Sequence, residues 1–300
     1  MEEIYAENEE LNFRCLILGL PHRSEYFEKL YSVFRWAEDI RSERGRKRFE
    51  ESLRKFEELV KHPWVKEVVK EKEELVILDV CGGTGIGGVA LAKVLQETGV
   101  DVELIINDVR ESALEKAKVF AKELLSKEAR TIKDDALNIH KYSVKADVAL
   151  LYGFSTPHFN PYDMVRLAAS VGAVLRYDGL YIVEEVDRIY NIMCLIGYKY
   201  VLPEIASEEE VVISMHAGYD VRKGVFKRLM LDLTTMRRSL SEAYFWSVAG
   251  TAAILWVFFK DVDYLPIDRG TRGFLIAKTP RGVDPSTYEE SPAIARSGST

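Results

Sequence analysis

The stretch VILDVCGGTGIGG, Val76 to Gly88, runs from a hydrophobic segment straight into glycines and then into residues with helical periodicity. That order predicts a buried strand, a tight turn and a helix, the opening unit of a parallel α/β sheet. Gly83, Gly85 and Gly88 satisfy G-x-G-x-x-G, and Asp108 lies 20 residues beyond Gly88. Glycines at a strand-to-helix turn let the backbone approach a ligand, and the helix N-terminus offers free N–H groups. A carboxylate after the second strand accepts from ribose hydroxyls, so the pattern by itself admits several nucleotide ligands, a nicotinamide dinucleotide among them.

Moving outward, short apolar runs alternate with helical stretches, the rhythm of βαβ units. Strands are predicted at 75–80, 102–107, 129–133, 147–152 and 179–186, with helices at 87–98, 112–126 and 162–176. Ahead of them, residues 1–72 read as a helical cap. Phe27, Leu30, Tyr31 and Phe34 recur at helical spacing, as do Phe49, Leu53, Phe56 and Val60, with breaks expected near Gly45 and at Pro63. The domain that follows spans 73–279 and includes an aromatic, apolar insertion at 187–224 that reads as a lid. A strand at 226–236, a helix at 242–259 and a strand at 273–278 are expected to complete the sheet, and 280–300 to be a flexible tail.

Composition narrows the function. The three cysteines, Cys15, Cys81 and Cys194, have neither disulfide nor metal-ligand spacing, so no metal is expected and a reducing, cytoplasmic setting fits. The acidic start lacks the build of a secretion signal. The most apolar run, Tyr244 to Phe259, has 16 residues, short of the roughly 20 that a membrane span needs. A net charge of −7 and a pI near 5.5 disfavour nucleic-acid partners. One glutamine, Gln96, among abundant Glu, Lys and Arg points to a thermophile. The one basic run, Arg41, Arg44, Arg46, Lys47 and Arg48, is interleaved with Glu43, Glu50 and Glu51 and reads as a solvated helix face.

Asp79 sits four residues before Gly83, where a carboxylate meets a pyrophosphate unfavourably but tolerates a cationic nucleoside. Here the chain resembles the class I S-adenosylmethionine-dependent methyltransferases, whose first motif reads approximately (D/E)-x-G-x-G-x-G. The motif falls on Asp79, Val80, Cys81, Gly82, Gly83, Thr84 and Gly85, with Cys81 in place of a glycine. Similar quinone-biosynthesis methyltransferases carry an AGGTG version. The resemblance covers about Leu75 to Asp187, and more faintly reaches Lys278.

The resemblance implies a Rossmann-like, seven-stranded, mainly parallel sheet of order 3-2-1-4-5-7-6, S-adenosylmethionine as cofactor and S-adenosylhomocysteine as product. IINDVRESAL would supply Asp108 to the ribose, with Asn107 and Val109 flanking the adenine. KDDALNI would supply Asp135 to the adenine amino group and the Ala136 N–H. ADVALLYGFSTPHF would end the fourth strand, with Tyr152, Gly153 and Phe154 beside cofactor or acceptor and His158 as the candidate base. Tyr26 and Tyr31 would belong to the cap, and Glu184 to the acceptor pocket. The (D/N)-P-P-Y motif of base-modifying and glutamine-modifying relatives is missing. A small-molecule acceptor is therefore expected. An RNA or protein methyltransferase using the Arg41–Arg48 patch, and an NAD-dependent oxidoreductase on the same glycines, are the alternatives.

Overall fold

The computed structural model describes residues 23–296 apart from 35, 71, 268 and 269. Cys15 and the rest of 1–22, like the last four residues, lie outside the described residues. Among the described residues three helices come first: α1 (Arg23–Val33), α2 (Glu43–Leu59) and α3 (Pro63–Val69). Pro63 stands in the first turn of α3, where its missing N–H costs nothing, and His62 caps it. Gly45 does not break a helix. It lies inside α2, and a β-carbon there would come within 1.8 Å of the Asp39 carbonyl oxygen. The break falls instead at 34–42, ahead of the Ser42 cap.

The α/β unit then follows as β1 (Glu74–Val80), α4 (Ile86–Gln96), β2 (Asp101–Asp108), α5 (Glu111–Leu125), β3 (Arg130–Lys133), β4 (Ala146–Leu151), α6 (Pro161–Val174) and β5 (Leu175–Val186). β1, β2, β4 and β5 each carry a buried apolar run because both sheet faces are covered there. Ile77 points to the layer of α2, α3, α4 and α5, while Leu78 points to α6 on the other face. β1 pairs with β2 on one side and β4 on the other, so the strand order reverses at β1 and opens a crevice at the carboxyl ends of the strands.

The chain continues through a π-helical turn (Ile189–Ile196) into β6 (Val201–Ala206), β7 (Val211–Asp220), β8 (Val225–Asp232) and β9 (Arg238–Tyr244). These four form a separate antiparallel sheet of order β6-β7-β8-β9. Leu30 and Val33 of α1 pack on it through Val212 and Met230. The chain returns to the main sheet by α7 (Val248–Phe258), β10 (Phe259–Ile267) and β11 (Arg272–Pro280).

The main sheet runs β3-β2-β1-β4-β5-β11-β10, the expected order, with β11 antiparallel to both neighbours in an otherwise parallel sheet. The strand read at 226–236 is not its sixth member. It is β8 of the second sheet, and β10 fills the outer place, because a strand's alternation of residues shows that it is half-covered but not which sheet covers it. β10 was hidden by its own edge position, which leaves Lys260 and Asp261 exposed. The apolar run Tyr244–Phe259 divides into the end of β9, an 11-residue α7 and the start of β10. No helix among the described residues is long and apolar enough to cross a membrane. Past β11, Tyr288 packs edge-on against Phe258.

Candidate active site

The glycine turn sits over the carboxyl end of β1. Cys81, Gly83 and Gly85 all adopt left-handed backbone, with φ of 54°, 57° and 80°. For Gly83 and Gly85 this is free of strain, whereas Cys81 occupies a conformation in which a β-carbon is crowded. That is the physical reason a glycine is expected there. Burial raises the Cys81 thiol well above its usual value, which keeps it protonated and unreactive.

Asp79 lies beneath the turn rather than at its mouth. Its Oδ2 accepts from the Gly88 N–H at 2.9 Å. A β-carbon on Gly82 or Gly88 would come within 2.4 or 2.6 Å of that same oxygen, so the carboxylate occupies the space these glycines leave. Its Oδ1 is buried without a partner. Burial pushes the pKa up to about 7, against the pull of the Gly88 N–H and Arg48.

Arg48 is the group opposite Asp79, lining the same cavity. Nothing in the spacing of the basic run sets it apart, yet it turns inward. Its Nη1 donates to the Ala37 carbonyl, its guanidinium lies 5.3 Å from the Trp36 ring, and among the described residues no carboxylate pairs with it. Burial lowers its pKa. The missed signal is a helical stripe, Arg48, Ser52, Lys55 and Leu59, beside the apolar Phe49 and Phe56. Ser52 meets the Tyr152 hydroxyl at 2.9 Å, and Lys55 reaches Glu184 at 3.3 Å. The rest of the run is a solvated face, with Arg41 paired to Glu123 and Arg44 to Glu210.

On the other side of the turn, Asp108 accepts from the Gly83 N–H and the Arg110 N–H, both at 2.8 Å. Arg110 also pairs with Glu38 and stacks 4.1 Å from the Tyr31 ring. Asn107 donates to the carbonyls of Ile132 and Asp134, tying β2 to the loop after β3. The Val109 carbonyl accepts from Ser24, and Asp135 caps the turn beginning at Ala136 through the Leu137 N–H. Asp135 is already engaged by Arg23 of α1 at 2.6 Å. Arg23, Tyr31, Cys81, Asp108, Val109, Asp135, Ala136 and His158 thus face one cavity.

At the end of β4, Gly153 and Phe154 are both left-handed, with φ of 85° and 64°. Glu184 holds this turn: it accepts from the Gly153 N–H at 3.1 Å and is neutralised by Lys55 and Arg272. Phe154 lies between the guanidinium groups of Arg272 (4.4 Å) and Arg188 (5.8 Å). Tyr152 packs beneath the glycine turn, where a β-carbon on Gly87 would meet its ring at 2.7 Å. Tyr26 is not with the glycine turn; its hydroxyl accepts from the Glu242 N–H and anchors α1 to β9.

His158 stands where three cavities meet. Its Nδ1 is buried without a partner, and its ring meets Phe27 edge-on at 4.9 Å. Burial, reinforced by Arg23, Arg188 and Arg110, lowers its pKa to about 4, so the imidazole is neutral at neutral pH.

A seven-stranded sheet with one reversed strand and a glycine turn at its switch point define a Rossmann-like fold. The chain belongs to the ubiE/COQ5 methyltransferase family, whose model matches residues 52–208. Its cofactor is accordingly S-adenosylmethionine.

Solved structures share the fold. The PH0226 protein from Pyrococcus horikoshii OT3 is 21% identical, with a TM-score of 0.56 over 84% of this chain and 98% of that one. An S-adenosylmethionine-dependent methyltransferase from Clostridium acetobutylicum ATCC 824 is 13% identical, with a TM-score of 0.57 over 76% and 92%. DesVI of Streptomyces venezuelae is 13% identical, with a TM-score of 0.54 over 87% and 100%. No curated protein matches the sequence.

The residues present fit this cofactor. A zwitterionic amino-acid end needs one cation and one anion, and the cavity beside the turn supplies Arg48 and Asp79, which among the described residues have no carboxylate partner and one unpartnered oxygen respectively.

Proposed function

We propose that the protein transfers a methyl group from S-adenosylmethionine to a small organic acceptor held between α1, the end of β4 and the second sheet. A half-open cavity next to the glycine turn carries this reading. A cavity of about 320 Å³ there is walled by Tyr31, Trp36, Phe154 and Phe245, and adjoins the glycine turn through Tyr31 and Gly153. Its volume suits a small molecule.

The bound cofactor supplies an electrophilic methyl group, so no protein nucleophile is needed and the chain's work is alignment and exclusion of water. Arg48 and Asp79 hold the amino-acid end. Asp108 holds the ribose, and Asp135 with the Ala136 N–H receives the adenine once Arg23 gives way. Neutral His158, with its free Nδ1, takes a hydrogen bond from an acceptor hydroxyl or amine and orients it. Phe154, held by Glu184 through Gly153, shapes the floor between the two ligands.

The ion pairs of Arg41 and Arg44 and the inward turn of Arg48 support a small acceptor over RNA, since they leave little of the basic run free for phosphates. The unbridged thiols of Cys81 and Cys194 support a reducing, cytoplasmic setting, and surface pairs such as Lys127 with Asp101 support a heat-adapted source. Incubation with methyl-labelled S-adenosylmethionine and cell extract split by ultrafiltration tests the reading. A labelled filtrate product chromatographically distinct from the donor, and missing when the protein is left out, is expected; transferred label found only in the retained RNA or protein would overturn it.

A further inference from the structure

Arginines beside the two ligand sites are nearly all matched by acids: Arg23 by Asp135, Arg110 by Asp108 and Glu38, Arg188 by Glu185, and Arg272 by Glu184. Two are not. One is Arg48, opposite Asp79. The other is Arg228, on β8, in the wall of the acceptor cavity and only 9% exposed.

Arg228 donates from Nε to the Ser214 hydroxyl at 2.8 Å, from Nη1 to the Tyr198 hydroxyl at 3.1 Å and the Lys199 carbonyl at 3.0 Å, and from Nη2 to the Ser214 carbonyl at 3.1 Å. Every one of these acceptors is neutral. Among the described residues no carboxylate pairs with Arg228, and one of its five N–H donors is left over. A guanidinium removed from water without a counter-charge is costly, and a ligand anion removes that cost. The hydrogen bonds fix the group in place, so an anion meets it with little ordering left to do.

The surrounding charge has the same sign. With Arg188 balanced by Glu185, Lys199 and Arg228 line the cavity against a single acid, Glu204, which reaches Arg228 only through the Ser214 hydroxyl between them. In a chain of net charge −7, a cavity with this excess of cations is a local reversal.

Resting on the methyltransferase reading above, we infer that the acceptor carries an anionic oxygen group, a carboxylate or a phosphate, seated on Arg228. Its apolar or aromatic body lies along Phe154 and Phe245, and the atom to be methylated is turned toward His158. The probes are 4-hydroxybenzoate, phenyl phosphate and the neutral 4-hydroxybenzamide. Each is titrated by ligand-observed NMR into the full chain saturated with S-adenosylhomocysteine.

At least one of the two acids is expected to bind about tenfold or more tightly than the amide, as a charge-assisted hydrogen bond implies, and the better acid names the anion. Arg228→Gln is expected to erase that preference while S-adenosylhomocysteine still binds. Equal binding of acids and amide, no binding of either acid, or a preference that survives in Arg228→Gln would overturn the inference. The comparison on the unaltered protein stands even if the variant fails to fold. Binding of S-adenosylhomocysteine keeps the two readings apart: if it is absent the methyltransferase assignment itself has failed, whereas if it is present with no acid preference only the anionic acceptor has.

Discussion

Replacing Asp79 by asparagine separates what the carboxylate costs the fold from what it gives the ligand. The side chain is 1% exposed, one oxygen has a single N–H partner and the other has none. A carboxyl held at about 7 instead of 3.8 takes up a proton on folding between those two pH values. Because its folded value is raised, its favourable contribution is fully present below pH 3.8 and is lost as pH climbs through 7. The full displacement corresponds to about 4 kcal/mol.

An amide in this place cannot ionise, so the Asp79→Asn variant should gain on the wild type by about that amount as pH rises from 4 to 8. Against this stands about 1–3 kcal/mol for an amide N–H₂ placed where Oδ1 has no partner. The variant should therefore match or exceed wild-type stability at pH 8, and fall below it at pH 4. Its affinity for S-adenosylmethionine should drop tenfold or more, because a cationic ligand favours the ionised acid. Wild-type binding near pH 6.5 should release a proton that the variant does not, as titration calorimetry in buffers of differing ionisation enthalpy would count. Parallel pH–stability curves for the two proteins, or equal cofactor affinity, would refute the reasoning.

Arg48→Met should weaken S-adenosylhomocysteine binding by tenfold or more in titration calorimetry while leaving the melting temperature unchanged or higher, since a desolvated cation without an acid partner is removed. Cys81→Gly should leave stability within about 1 kcal/mol of wild type, because relief of the left-handed conformation offsets the added freedom of the unfolded chain, whereas Cys81→Val should lose more; thermal melts decide. Under limiting iodoacetamide, peptide mass spectrometry should find Cys194 alkylated well before Cys81, whose thiol stays protonated. In steady-state kinetics, kcat/KM for S-adenosylmethionine should fall below pH 7 as free-enzyme Asp79 protonates, while loss of kcat through His158 should wait until pH approaches 4. Arg23→Gln should bind S-adenosylhomocysteine more tightly, since it frees Asp135 in advance; weaker binding in calorimetry would show that Arg23 instead completes the site.

The strands that carry the glycine turn and its acids were legible because parallel strands covered on both faces read as plain apolar runs, and Leu75–Leu78, Leu104–Ile106 and Val148–Leu151 are such runs. β10 and the second sheet were not, because half-covered strands such as β8 look alike whichever sheet they join. The site divides along a similar line. Gly83, Gly85 and Asp108 were readable because their roles belong to the local turn. Arg48 and Arg228 were not, because what distinguishes them from any surface arginine is which acids fail to reach them.

That condition is settled only when α2 and β8 are brought against the crevice. A spacing rule can find a backbone cradle, which the chain builds from consecutive residues. It cannot find an unmatched charge, which is a property of everything packed around it. On the reading proposed above, the charges that no opposite side chain matches among the described residues, Arg48 beside the cofactor turn and Arg228 in the acceptor cavity, are the ones a ligand would complete.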